Sequence, residues 1–303
     1  MLFCELPRLT CPSDSTLYIF SYFSKPLLLL SATFFIQSIF KQFLTQGDSF
    51  IIASLASAGA QGTYALASNY GGLIARLLLQ PIEEVSRNHF GKALSSTSGT
   101  PSRETVLQIR DQLLRLLRIY VLLSVCVVSV GPTIAPLLLK IITGSGSEWM
   151  SAGPVLASYC YYIPLLAMNG LLEAFVSSVA TESELHRQTL WMIGFFVAFG
   201  SAAYTFLGVL NLGAGGLVWA NGLNMIFRIA WGATFTQNYL RRNGVGTDMR
   251  VLIPRPLTIA AGVGTYAILS QLTSTFSDGT TLADSITHLL KSGVVAVAFV
   301  FVL

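Results

Sequence analysis

Arg76 stands inside an apolar run, LASNYGGLIARLLLQPIEE over residues 66–84, which closes on Pro81 and the acidic pair Glu83 and Glu84. The chain around it is 53% hydrophobic and only 11% charged, with a mean hydropathy of +0.65, so the run is expected to lie in a bilayer. A charge near the bilayer centre costs about 2.5–3.5 kcal/mol on insertion scales. A chain carries it where the charge meets a partner or a polar cavity. Other polar residues recur at helical spacing. Lys41, Thr45 and Asp48 follow i, i+4, i+7, with Gln46 beside them. Asn69, Gly72, Arg76 and Glu83 follow i, i+3, i+7, i+14, and Asn169 and Glu173 are one turn apart. Asn221, Asn224 and Arg228 follow i, i+3, i+7. Each set falls on one face of a helix.

Two kinds of chemistry fit such stripes. As packing glue, the asparagines hydrogen-bond between helices at about 0.6 kcal/mol each. The charges Lys41, Asp48, Arg76, Glu173 and Arg228, if central and unpaired, would together cost roughly 12–18 kcal/mol. Mutual pairing removes much of that, but it does not explain stripes on four helices. A hydrated cavity between helices does. The stripe residues, with Glu84 holding the mouth of its helix near Arg87, are therefore the candidate cavity residues.

The elements that must position them are membrane spans, which need roughly 17–25 apolar residues each. Eight stretches qualify or come close: 31–57, 62–80, 116–139, 153–180, 189–208, 213–238, 252–271 and 285–303. Basic residues cluster in alternate connections: Arg87, Lys92, Arg103, Arg110, Arg115 and Arg118 in one, Arg187 in the next, and Arg241, Arg242, Arg250 and Arg255 in a third. The other connections are nearly free of Lys and Arg. The positive-inside rule then places both termini of the chain in the cytoplasm and explains the net charge of +4 without nucleic acid.

The expected division is an atypical leader over 1–24, a helical lobe of six spans over 25–242 with a cytoplasmic linker at 87–115, and a terminal helix pair over 243–303, cut short in its last apolar run. Within the linker, 106–118 has a basic amphipathic pattern of the kind that lies along anionic headgroups. Cys4, Cys11, Cys126 and Cys160 form no disulfide framework, and His89, His186 and His288 have no second ligand at metal spacing. No glycine-rich nucleotide loop is present, and no cofactor is called for. A membrane glycosyltransferase is disfavoured, since the expected lumenal connections offer only the scattered acids Glu148, Asp278 and Asp284.

The strings FIQSIFKQFLTQGD (35–48), QGTYALASNYGGLIARLLLQPIEE (61–84), GPVLASYCYYIPLLAMNGLLEAF (153–175) and ANGLNMIFRI (220–229) together are distinctive. Across 34–242 the chain resembles the Rft family of endoplasmic-reticulum dolichyl-diphosphate oligosaccharide translocation proteins, of the multidrug/oligosaccharidyl-lipid/polysaccharide flippase superfamily. That resemblance implies an all-α polytopic bundle like the C-terminal lobe of a fourteen-helix flippase, with the first lobe of the same protein as its missing partner. Gln46 departs from the family pattern, which carries Glu at this point. The implied function is flipping of the dolichyl-diphosphate heptasaccharide, five mannose and two N-acetylglucosamine residues, from the cytoplasmic to the lumenal side of the membrane for N-glycosylation. The implied partners are this glycolipid and membrane lipids. Arg76, Arg228 and Lys41 would then meet the diphosphate, and Asn69, Asn169 and Asn224 the sugars. The alternative is a non-transporting scaffold of the same pathway.

Overall fold

The computed structural model describes residues 18–19, 23–24, 28, 35, 52–54, 56–95, 102–143, 152–247, 249–274 and 282–302. The chain divides into two units, Met1–Gly47 and Asp48–Leu303. In the first, β1 (Tyr18–Ile19) and β2 (Phe23–Ser24) pair antiparallel, with Tyr18 opposite Ser24 and Ile19 opposite Phe23. The described residues of the second are almost all helical, as expected of an all-helical membrane protein. Among the described residues three helices are long and apolar enough to cross a membrane: Arg103–Ile142, Gly153–Val179 and Glu182–Val209. The stretch expected as the first span, 31–57, lies almost wholly outside the described residues.

Helix α1 (Ala58–Ile74) begins at Ser57, whose hydroxyl accepts from the Ala60 N–H at 3.4 Å. It continues through a π-helical turn, Ala75–Leu79, into α2 (Gln80–Ser95). Pro81 supplies the cause. It has no N–H to offer the Leu77 carbonyl, and its ring would strike that carbonyl in a regular α-helix, so the turn before it opens. The buried or half-buried face of this continuous helix runs through Tyr64, Ala67, Gly71, Ala75, Leu79, Glu83, Ser86 and Phe90. Four successive steps of four residues would carry an α-helical face far off line, at about 100° per residue. The wide turn absorbs the drift.

Helix α3 (Arg103–Thr143) runs without a break from the amphipathic segment into the membrane span. The apolar face of that segment, Val106, Ile109, Leu113 and Leu117, is buried within the protein, packed with Phe90, Phe175, Leu240 and Val245. The pattern read from the sequence as a headgroup-facing helix is thus an internal seam, and only its basic side is turned outward. The expected linker is correspondingly helical on both sides of 96–101.

Helix α4 (Gly153–Val179) is the centre of the unit and packs on α1, α2, α3 and α6. Over its most apolar stretch it is 56% buried, against 11% for the corresponding stretches of α3 and of α5 (Glu182–Tyr204). Pro154 sits in its first turn, where a missing N–H does no harm. At Gly71 a Cβ would run into the Tyr159 ring, so glycine is what lets α1 and α4 close. Thr181 starts α5 by donating both its N–H and its hydroxyl to Glu184, at 3.1 Å each.

A second π-helical turn (Thr205–Val209) ends α5, and α6 (Gly213–Arg242) returns antiparallel. Helix α6 stops at Gly244, where φ is +71°, and the Val245 N–H reaches the Leu240 carbonyl at 2.9 Å. Helices α7 (Pro256–Ser274) and α8 (Leu282–Val302) pack on α3 and on each other. Three contacts tie the basic connections together at one end of the bundle: Ser178 Oγ to the Arg87 carbonyl at 2.9 Å, Arg110 Nη1 to the Gly246 carbonyl at 3.0 Å, and Arg242 to Glu184 at 2.7 Å.

Candidate functional site

The central helix α4 collects the charged residues. Asn169 and Glu173 are one turn apart on it, and Asn169 Nδ2 donates to Glu173 Oε2 at 3.3 Å. The same oxygen accepts from Arg228 Nη2 of α6 at 2.7 Å. The Arg228 side chain is 14% exposed and that of Glu173 35%, so the pair is sheltered without being sealed. Beside it, α4 has a glycine, Gly170, and the Glu83 carboxylate of α2 fills the space that a Cβ there would take. The Glu83 and Glu173 carboxylates lie close enough to repel each other. One cation and two acids from three helices thus meet over one turn of α4.

This seam is tight. The cavity between Asn169, Glu173, Gln188, Met192, Arg228 and Trp231 holds only about 10 Å³, room for roughly one water. The hydrated space expected from the stripes is therefore absent at this point among the described residues. The charges answer one another instead, as the packing reading requires. Asn224 is half-buried one turn before Arg228.

Arg76 is placed differently. It lies in the wide turn, exposed, and folds back along its own helix. Its Nε donates to the Gly72 carbonyl at 3.3 Å and its Nη2 to the Asn69 carbonyl at 3.2 Å. Among the described residues no acidic side chain comes within ion-pair distance of it. Asn69 is exposed on the same side. Glu84 is exposed too and accepts from Gln80 Nε2 at 3.2 Å; it does not meet Arg76.

The expected stripe Asn69–Arg76–Glu83 is therefore divided. In an unbroken α-helix Glu83 would share the face of Arg76. The π-helical turn lags the second half by one residue, so Glu84 takes that face and Glu83 swings onto α4. Lys41, Gln46 and Asp48 lie outside the described residues, as do Cys4 and Cys11.

Two residues escaped the sequence reading. Tyr64 Oη accepts from Asn221 Nδ2 at 2.6 Å, joining α1 to α6, while Asn221 Oδ1 is buried with no partner among the described residues. The available signal was the position of Tyr64 on the small-residue face of Ala67, Gly71 and Ala75. Lys140, near the end of α3, is 5% exposed, and its place in the sequence gave no sign of this. Among the described residues no group of three or more potential metal ligands comes together.

A family model described as Rft protein matches residues 8–303. The Man(5)GlcNAc(2)-PP-dolichol translocation protein RFT1 of Yarrowia lipolytica is 36% identical over 260 residues, covering 83% of this chain and 38% of that protein. Proteins of the same name from Saccharomyces cerevisiae and Xenopus tropicalis are 34% and 32% identical, covering 73% and 76% of the chain but 38% and 43% of their own lengths. The chain thus spans about two fifths of the length of these curated relatives. No solved structure matches it.

Proposed function

The chain belongs to the Rft protein family, and from that premise we propose that it forms the second lobe of a protein that flips dolichyl-diphosphate-linked Man5GlcNAc2 from the cytoplasmic to the lumenal side of the endoplasmic-reticulum membrane, for N-glycosylation. The relatives' names carry the substrate class. The observation that carries the mechanism is Arg76, an exposed guanidinium on an apolar helix, held among the described residues by carbonyls of its own helix. A guanidinium so placed keeps most of its donor fork for a phosphate, which it grips bidentately. Its exposed side is where a first lobe would complete a cavity. Lys41 and Asp48 would join that wall, with Gln46 as a neutral donor and acceptor. Asn69, and Asn224 deeper on α6, would meet sugar hydroxyls. Glu84 would hold the mouth near Arg87.

In this reading Arg228, Glu173, Asn169 and Glu83 form a sheltered hinge for the charged wall, and a diphosphate that reached Arg228 would have to displace Glu173. The protein makes and breaks no covalent bond, takes no cofactor, and crosses the membrane several times with both ends of this chain in the cytoplasm. The test is N-glycosylation of a reporter glycoprotein in cells that lack their own copy of the protein, read beside the abundance of each variant. Arg76→Leu is expected to abolish glycosylation at normal abundance, and Arg76→Lys to restore it in part, because a point charge replaces a fork. Full glycosylation with Arg76→Leu would remove the reading.

One observation favours the scaffold alternative. The Arg228–Glu173–Asn169 seam is closed and internally satisfied, which is how a purely structural charge would look. If Arg228→Met with Glu173→Leu supports normal glycosylation while Arg76→Leu does too, a scaffold that needs these charges only for packing is the better account.

A further inference from the structure

A groove of about 400 Å³ runs between α5 and α6, and nothing in the reading so far uses it. Its walls are aromatic. Trp191 stacks on Phe195 with centroids 6.1 Å apart, Phe195 on Phe227 across the helix pair at 5.9 Å, and Trp231 on Phe235 at 5.5 Å. At the end where the basic connections gather, the lining changes to Arg187, Arg242, Glu184 and Asn238. Glu184 already holds Arg242 at 2.7 Å, so among the described lining residues this polar end keeps one positive charge in excess, on exposed Arg187. Phe195 and Trp231 also line the small cavity beside Arg228, so the groove runs up to the charged seam. It is an amphipathic slot, aromatic along its length and cationic at one end.

Resting on the proposed glycolipid substrate, we propose that this groove seats the head-proximal isoprene units of the polyprenyl tail as the lipid first docks, with the diphosphate at Arg187 before it moves on to the Arg76 fork. A slot bounded by two packed helices, whose axes stand about 8–10 Å apart, takes one chain and not the paired chains of a glycerophospholipid. Flat aromatic walls suit the planar, methyl-branched double bonds of an isoprenoid. The single positive charge selects an anionic headgroup. On this arrangement the tail stays at the lipid-facing side of the lobe while the sugars pass along the Arg76 side.

The test uses the purified protein in phosphatidylcholine nanodiscs with a polyprenyl diphosphate that carries a diazirine in its second isoprene unit. After irradiation, the label is mapped by mass spectrometry. It is expected on 187–195 and 227–238, displaced by unlabelled polyprenyl diphosphate and not by phosphatidylserine. Trp191→Ala with Phe227→Ala should lower labelling by about tenfold, the equivalent of one buried aromatic contact surface. Arg187→Gln should lower it by about threefold, as for a charge at an exposed rim. Trp191→Phe, which keeps a ring, and Val197→Ala, outside the groove, should label normally, which separates loss of the site from loss of the fold. Label confined to other helices, or equal displacement by phosphatidylserine, overturns the proposal. The two readings fail separately. Loss of glycosylation in Arg76→Leu with the label mapped elsewhere would leave the substrate assignment and remove the groove. Normal glycosylation in Arg76→Leu with the label in the groove would leave the lipid site and remove the transport mechanism.

Discussion

Arg228 and Arg76 belong to the same helical unit and come from equally apolar surroundings, yet they are held in opposite ways. Arg228 leans inward from α6 onto Glu173, which Asn169 steadies from one turn away, and the space around the three admits about one water. Arg76 lies exposed on the wide turn between α1 and α2 and spends two donors on carbonyls of its own helix. Among the described residues the first charge is answered by an acid and the second is not. A membrane protein can afford an inward ion pair as architecture, because the partners remove most of each other's insertion penalty. An outward arginine without an acid has to be answered by water, by lipid headgroups or by a ligand. The contrast is therefore between a residue that holds the lobe together and one that, on the proposed function, faces the substrate.

The largest effect should come from breaking the inward pair on one side only. Glu173→Ala leaves a sheltered guanidinium without its acid and is expected to lower stability by about 3 kcal/mol, the lower end for such pairs because Glu173 is partly open. Thermal unfolding in detergent would register it, and the double change to Glu173→Leu with Arg228→Met should recover most of the loss. If the single variant is as stable as the parent, the inward arginine is not held by Glu173 and the contrast collapses.

Next comes the contact that presses the Arg76 helix onto α4. Gly71→Ala places a methyl group in the Tyr159 ring and should cost about 1–3 kcal/mol, as overpacking does. Tyr159→Leu in the same chain should relieve part of it. A neutral Gly71→Ala would mean that α1 is free to move off α4, and that the exposure of Arg76 is not fixed by packing.

Gly170→Ala sharpens the comparison at smaller amplitude. The new methyl collides only with the far end of the flexible Glu83 side chain, so the carboxylate turns away and stability should change by less than about 1 kcal/mol. If Glu83 matters to transport, glycosylation should fall although the protein is as abundant as before. Intact glycosylation would assign Glu83 to packing.

The smallest stability effect belongs to Arg76 itself. With no acid to lose, Arg76→Leu should shift unfolding by no more than about 0.5 kcal/mol, against the several-fold larger response at Glu173. A large destabilisation would show that its bonds to Gly72 and Asn69 brace the wide turn, and would make it architecture as well.

Much of the helical frame was legible because apolar runs of span length leave little choice. The stretches 116–139, 153–180 and 189–208 fall within three long helices, and 213–238 within α6. Mutual pairing among the charges was legible only in general; that Glu173 meets Arg228 comes from the tertiary arrangement. What periodicity could not show was the angular bookkeeping through Pro81. The i, i+7, i+14 rule presumes 3.6 residues in every turn, and one wider turn exchanged the faces of Glu83 and Glu84. Nor could it tell a headgroup-facing amphipathic helix from an internal one. Val106, Ile109, Leu113 and Leu117 have the same spacing in either setting, and what decides is whether Phe90, Phe175 and Leu240 come to meet them, which is a property of the tertiary arrangement. Lys41, Gln46 and Asp48 lie outside the described residues.

The wide turn at Ala75–Leu79 also bears on chain length. The buried face steps from Tyr64 to Phe90 in intervals of 3, 4, 4, 4, 4, 3 and 4 residues. Removing one residue from the exposed side of that turn, Leu77 or Leu78, together with Pro81→Ala to take away the ring that opens it, would make the intervals 3, 4, 4, 3, 4, 3 and 4, the rhythm of an ordinary helix. A one-residue deletion elsewhere in a buried helix rotates everything beyond it out of register. Here it would leave both halves facing as they do now, so this is the one stretch of the helix where the chain can lose a residue and keep its partners.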